Sequence, residues 1–168
     1  MKTVCFTGHR PDKLGGYDER NPLAEFVKDE LRRIVRSLIT EGARKFICGG
    51  ALGVDTWAAE IVLSLREEFP DIYLLIAKPF PSQAVRWNTD AITRFEFICS
   101  CANEVMNVNP DPYAVWKMQA RNGWMVDHSD VVVCVWDGSK GGTANCHNYA
   151  QGKKQLVIIN PRNYADNS

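Results

Sequence analysis

The chain has 168 residues, 45% of them hydrophobic, with 20 basic residues against 20 acidic ones. That length fits one domain with an ample core, and the longest apolar runs are strand-length, far short of a membrane span. A net charge of zero gives no global field to draw in nucleic acid or an acidic membrane surface, although a local basic patch is compatible with it.

The first element is a strand over Thr3–Thr7, which runs into the turn Thr7-Gly8-His9-Arg10. The opening Met-Lys-Thr-Val-Cys-Phe lacks the apolar stretch and cleavage site of an export signal, so the expected location is cytoplasmic. Arg10–Arg20 holds Pro11, Gly15 and Gly16 among charges and reads either as a mobile flap or as an ordinary solvated connection. Asn21-Pro22 is an N-cap followed by a first-turn proline, and Leu23, Phe26, Val27, Ile34 and Leu38 then mark an apolar helical stripe. Lys45–Cys48 reads as a second strand, ending in Cys48-Gly49-Gly50-Ala51-Leu52-Gly53-Val54-Asp55 and a helix over Gly53–Phe69. Strand Ile72–Ala77, helix Val85–Ala102 and strand Glu104–Val108 follow. After the irregular Asn109–Pro112 come helix Tyr113–Ser129 and strand Val131–Trp136. The turn Asp137-Gly138-Ser139-Lys140-Gly141-Gly142-Thr143 then leads to helix Thr143–Gly152 and strand Leu156–Asn160. The polar tail from about 161 is expected to be loose.

These strands are short, rich in Val and Ile, and continuous rather than alternating, as when helices cover both faces. The expected fold is therefore α/β: a single Rossmann-like, doubly wound domain over residues 1–168, with a mainly parallel sheet of about six strands. The six cysteines (5, 48, 99, 101, 134, 146) read as structural thiols. Three lie in strands, and Cys99 and Cys101 have the wrong spacing for a zinc hook. No metal and no cofactor is expected.

Each glycine turn stands where a hydrophobic strand gives way to a helix. Glycine permits close backbone approach and positive φ, and a helix start presents unpaired N–H groups and a positive dipole end. Three such turns on one sheet edge make a crevice suited to phosphate. The candidate ligand-binding residues are Thr7, Gly8, His9, Arg10, Gly49, Gly50, Gly53, Asp55, Trp87, Gly141, Gly142 and Thr143. Arg10 suits a bidentate phosphate contact. Gly49, Gly50 and Gly53 do not have the spacing of the dinucleotide fingerprint; they present N–H groups to a phosphate or simply allow tight packing. Asp55 bonds a ribose hydroxyl or caps its own turn, and His9 bonds a ligand or a neighbouring loop. Thr143 contacts the ligand or caps its helix. Trp87 stacks on a base or belongs to the core stripe of Ala91, Phe95, Ile98 and Ala102. Arg86, Asp90 and Arg94 read as a surface ion ladder.

Taken in order, Thr7-Gly8-His9-Arg10-Pro11, the Cys48 to Asp55 segment, Lys78-Pro79-Phe80 with Trp87, Arg121-Asn122 through Met125-Val126-Asp127, and Asp130 through Gly141-Gly142-Thr143 resemble the YpsA-like branch of the SLOG superfamily. These are Rossmann-like proteins related to the Lonely Guy phosphoribohydrolases and to DprA. The resemblance runs from about Met1 to Asn160. It implies a homo-oligomer, a dimer or higher, with a pocket for nucleotides and their derivatives, including ADP-ribose-type molecules. Arg121 and Asn122, which match the family pattern, are read as pocket or dimer-interface groups. In Lonely Guy enzymes the glycine-threonine motif is followed by glutamates tied to N-glycosidic cleavage; here Ala144, Asn145, Cys146 and His147 follow.

The first expectation is thus a small-molecule nucleotide binder with no assigned catalytic residue. An N-glycosidic bond hydrolase is the alternative. It needs a placed carboxylate, for which Asp55, Glu60, Asp90 and Asp137 are candidates, although Asp137 more naturally sets its Asp-Gly turn. A third reading is DprA-like single-stranded DNA binding. Neutral charge weighs against it, so nucleic acid is not an expected partner, nor is a membrane.

Overall fold

Strand and helix alternate along the whole of residues 2–166, which the computed structural model describes. The strands are β1 (Lys2–Gly8), β2 (Ala43–Cys48), β3 (Tyr73–Lys78), β4 (Glu104–Asn107), β5 (Val131–Val135) and β6 (Gln155–Ile159). The helices are α1 (Pro22–Thr40), α2 (Val54–Leu65), α3 (Thr89–Cys101), α4 (Val115–Asp127), α5 (Gly142–Ala150) and the short α6 (Asn163–Asp166). The six strands form one sheet in the order β4-β3-β2-β1-β5-β6, with every neighbouring pair parallel.

Alternate residues of each inner strand feed two different cores, which is why the strands read as unbroken apolar runs. Val4, Phe6, Phe46, Leu74 and Val133 pack with α1, α2 and α3 on one side. Cys5, Ile47, Leu75, Val132 and Cys134 pack with Met125 and Val126 of α4 and Cys146 and Ala150 of α5 on the other. This is the expected doubly wound arrangement, with helices on both faces. Burial pushes the Cys146 thiol up to about 11 and Cys134 up to about 12, so both behave as small hydrophobes at neutral pH. No helix among the described residues is long and apolar enough to cross a membrane.

Four expectations need correction. The helix read over Val85–Ala102 begins only at Thr89. Residues before it make successive turns, with N–H bonds from Gln83 to Phe80 O, Val85 to Ser82 O and Trp87 to Ala84 O. Asn88 then caps α3 by accepting from the Ala91 N–H at 2.8 Å. The segment Arg10–Arg20 is neither free flap nor merely solvated. Leu14 is fully buried, and Glu19 accepts from Trp57 Nε1 at 2.6 Å and from both terminal nitrogens of Arg94 at 2.6 and 3.0 Å. Arg94 also binds Glu60, so the expected ladder with Asp90 gives way to a bridge between α2, α3 and this loop. Within the tail, expected to be loose from about 161, Asn163–Asp166 form α6, where the Tyr164 ring packs 5.8 Å from that of Phe26; residues 167 and 168 lie outside the described residues.

Candidate functional site

Strand order reverses at β1: the chain steps outward through β2, β3 and β4, then returns to place β5 on the opposite side. The loops leaving the carboxyl ends of β1 and β5 therefore diverge, and a crevice opens between them. A cleft of about 470 Å³ lies there. Of the sequence-predicted residues it brings together Thr7, Gly8, His9, Arg10, Asp55, Gly141, Gly142 and Thr143.

The third glycine turn meets the cleft with an open helix start. Asp137 fixes the turn: its Oδ1 accepts from Ser139 N–H at 2.9 Å and from Ser139 Oγ at 2.5 Å. The Ser139 hydroxyl in particular holds this carboxyl well below the usual range. The same carboxylate oxygen lies 3.0 Å from His9 Nε2, tying the β5 loop to the β1 loop. Burial lowers the His9 pKa against the pull of Asp137, so the ring is largely neutral at pH 7. Gly141 then precedes α5 at φ 143°, and α5 has no side-chain cap. The N–H groups of Gly142, Thr143 and Ala144 have no acceptor among the described residues. A Cβ added at Gly142 would meet nothing within 4 Å. Unpaired donors, open space and a positive dipole end coincide here.

The second glycine turn has a different geometry. Gly49, Gly50 and Gly53 lie outside the cleft lining. The Gly49 carbonyl accepts from Arg121 Nη1 and from Gln83 Nε2. Gly50 has φ +80°, and a Cβ there would sit 2.7 Å from the Phe95 ring. At Gly53 a Cβ would sit 2.7 Å from the His9 carbonyl. At the helix start Val54 N–H donates to His9 O at 3.4 Å, and just ahead of it Ala51 N–H donates to Asp55 Oδ2 at 3.3 Å, while the N–H groups of Asp55 and Thr56 have no acceptor among the described residues. The three glycines are closely packed, while Ala51 and Asp55 of the same segment line the cleft. Trp87 also falls outside the cleft, with its ring edge-on to Phe95 at 5.4 Å.

Besides His9, two buried ionisable groups line the cleft. Asp55 is 7% exposed and Arg121 4%. Burial raises the Asp55 pKa despite the opposing charge of Arg121, and burial lowers that of Arg121 despite Asp55. They make no direct ion pair among the described residues. Arg121 donates instead to the Gly49 and Ala77 carbonyls through Nη1 and to Asn122 Oδ1 through Nε. Its Nη2 has no acceptor among the described residues. A buried cation satisfied only by neutral carbonyls and a non-contacting carboxylate favours an anion beside it.

Of the other carboxylates considered for hydrolysis, Glu60 is engaged by Arg94, Asp137 by Ser139 and His9, and Asp90 lies exposed at the start of α3. Only Asp55 among the four lines the cleft. Sequence reasoning missed several lining residues: Asp12 and Lys13 from the β1 loop, Ser139 and Lys140 from the β5 loop, and Val115, Trp116, Met118 and Gln119 from α4. Lys13 Nζ donates to Ser139 Oγ at 3.0 Å, closing the rim. Their signal was topological, since the loops after β1, β4 and β5 share one sheet edge. Arg10, Lys13, Lys140 and Arg121 against Asp12 and Asp55 leave this cleft positive within a neutral chain.

A parallel sheet with helices on both faces and a cleft at its switch point defines a Rossmann-like domain. More narrowly, the chain belongs to the YspA SLOG family (YpsA), whose model matches residues 4–158. It is 39% identical over 144 residues to the SPbeta prophage-derived protein YoqJ of Bacillus subtilis (strain 168), covering 79% of this chain and 84% of the relative. It is 33% identical over 165 residues to a UPF0398 protein of Bacillus thuringiensis (strain Al Hakam), covering 98% and 89%. Among solved structures the fold is similar to DNA processing protein A from Helicobacter pylori, described in its single-stranded DNA binding mode, with TM-score 0.65 and 22% identity. The protein of the same name (DprA) from Streptococcus pneumoniae gives TM-score 0.66 and 14% identity. Both comparisons cover 95% of this chain, which spans only 65% and 50% of those proteins.

Proposed function

We propose that the protein binds a nucleotide or nucleotide derivative, ADP-ribose-like molecules included, with a phosphate at the start of α5. The observation that carries this reading is the pairing of an uncapped, unobstructed helix start with a buried arginine that has no direct ion pair. Together they supply directional donors and a fixed positive charge to an anion. The cleft volume of about 470 Å³ is in the range of small-molecule sites. His9, Asp55 and Asn122 offer polar partners for a sugar. Calorimetry with AMP, ADP-ribose and NAD tests the reading: saturable binding to at least one is expected, and no heat or thermal stabilisation from any would overturn it.

A second reading, single-stranded DNA binding, draws support from the exposed Trp116 beside the basic rim of Arg10, Lys13 and Lys140. Stacking faces next to phosphate-tracking cations are what such binding requires. The likeness to DprA supports a shared fold. Anisotropy of a labelled oligonucleotide at low salt separates the two: titration without change leaves only the small-molecule reading.

A further inference from the structure

We propose that Trp116, not Trp87, is the platform on which the base of the bound nucleotide stacks; this rests on the phosphate reading above. Trp116 is 61% exposed, whereas Trp57 is buried and Trp87, Trp124 and Trp136 are half-buried. It lines the cleft from the first turn of α4. An indole so placed leaves a large apolar face in water, which a flat aromatic ligand covers with little loss of conformational freedom.

The surrounding chain holds the indole's backbone on the rim. Lys117, only 6% exposed, donates through Nζ to the Pro110 and Pro112 carbonyls at 2.7 and 2.6 Å. Asn109 Nδ2 donates to Pro79 O at 3.1 Å, fastening the same loop to the end of β3. One turn along α4 from Trp116, Gln119 also lines the cleft and brings an amide suited to a base edge. From Trp116 to Asn122 the helix axis advances about 9 Å, and Arg121 adjoins Asn122. The α4 wall therefore carries an aromatic surface at one end and a buried cation at the other, an order that suits base, ribose and phosphate.

The test compares AMP with ribose 5-phosphate, which lacks a base, by calorimetry on the unmodified protein, Trp116→Ala and Trp116→Phe. The unmodified protein should prefer AMP. Trp116→Ala should weaken AMP binding about ten- to a hundredfold while leaving ribose 5-phosphate within about twofold, and Trp116→Phe should restore most of the loss. Unchanged AMP affinity in Trp116→Ala, or equal losses for both ligands, overturns the platform. If the unmodified protein binds both ligands equally, the platform falls and the phosphate reading stands. If it binds neither, the phosphate reading falls first and the platform with it.

Discussion

Replacing Gly142 with Asp separates binding from folding, because the two effects have opposite sign. Gly142 is exposed, its φ is not in the left-handed region, and an added Cβ meets nothing within 4 Å. The substitution therefore brings neither strain nor a clash. A carboxylate in the first turn of α5 faces the helix dipole favourably, worth about 0.3–1 kcal/mol to the fold. For a bound phosphate the same charge is repulsive. One pair of like charges about 4 Å apart costs about 1 kcal/mol in bulk water and about 4 kcal/mol near a protein surface. A dianionic phosphate doubles these figures to about 2–8 kcal/mol. Even the lower bound is about thirtyfold in affinity. Gly142→Asn, similar in size and uncharged, is the control. Thermal unfolding should show Gly142→Asp at least as stable as the parent, while calorimetry with AMP shows a loss of about thirtyfold or more that Gly142→Asn does not share. A folded Gly142→Asp protein binding AMP within threefold of the parent would refute the placement of phosphate at α5.

Gly50→Ala should do the reverse. Its φ of +80° and the Phe95 ring 2.7 Å from the new Cβ predict a loss of about 2–4 kcal/mol and a Tm lower by about 5–15 °C, with AMP affinity unchanged in calorimetry. Glu19→Ala removes the acceptor shared by Trp57, Arg94 and Lys28. It should cost about 2 kcal/mol and speed proteolytic cleavage within Arg10–Arg20, read by mass spectrometry of timed digests. Stability should decline as pH falls below about 6.5. His9 has a folded pKa below 6.5, so the unfolded chain binds the extra proton first. Further acidification protonates Glu19, whose folded pKa lies below 4.5 because Arg94 and Lys28 outweigh its burial, and stability drops again below about pH 4.5. Asp55, with its pKa raised by burial, acts in the opposite direction as pH rises above 3.8. In His9→Asn, Tm measured across pH should lose the portion of the decline just below 6.5.

The fold was legible because its signals are local and repeated. Val- and Ile-rich runs, the Asn21-Pro22 helix start and the regular alternation sufficed for a six-stranded sheet with helices on both faces. Element ends were less legible where a short-range bond outcompetes helical pattern. Asn88 stops α3 from extending back to Val85, and no apolar period signals that. The Arg10–Arg20 loop was misread because its anchors Trp57 and Arg94 lie far along the chain, and charge content alone does not say which charges are paired. Trp116 escaped notice for the converse reason. Its neighbours Val115 and Tyr113 look like the start of an apolar helix face, and only the three-dimensional sheet edge turns that face toward the β1 and β5 loops.

The two glycine turns after β2 and β5 carry the sharpest form of this lesson. In sequence each is a glycine cluster at a strand-to-helix junction, and each promises free N–H groups. What differs is the company brought by the fold. Around Gly49 to Gly53 the sheet and α3 close in: Phe95, the His9 carbonyl, Gln83 and the Arg121 guanidinium occupy the space, and Asp55 bonds the nearest N–H. Around Gly141 and Gly142 the start of α5 is open, and a Cβ added at either glycine meets nothing within 4 Å, although the body of the helix packs on β1, β5 and α4. Arg121 links the two, because its Nη1 is spent on the Gly49 carbonyl while it still lines the cleft that α5 faces. In the proposed site the packed turn fixes the cation, and the open turn supplies the amides. Either feature alone is common; an anion site requires that they converge.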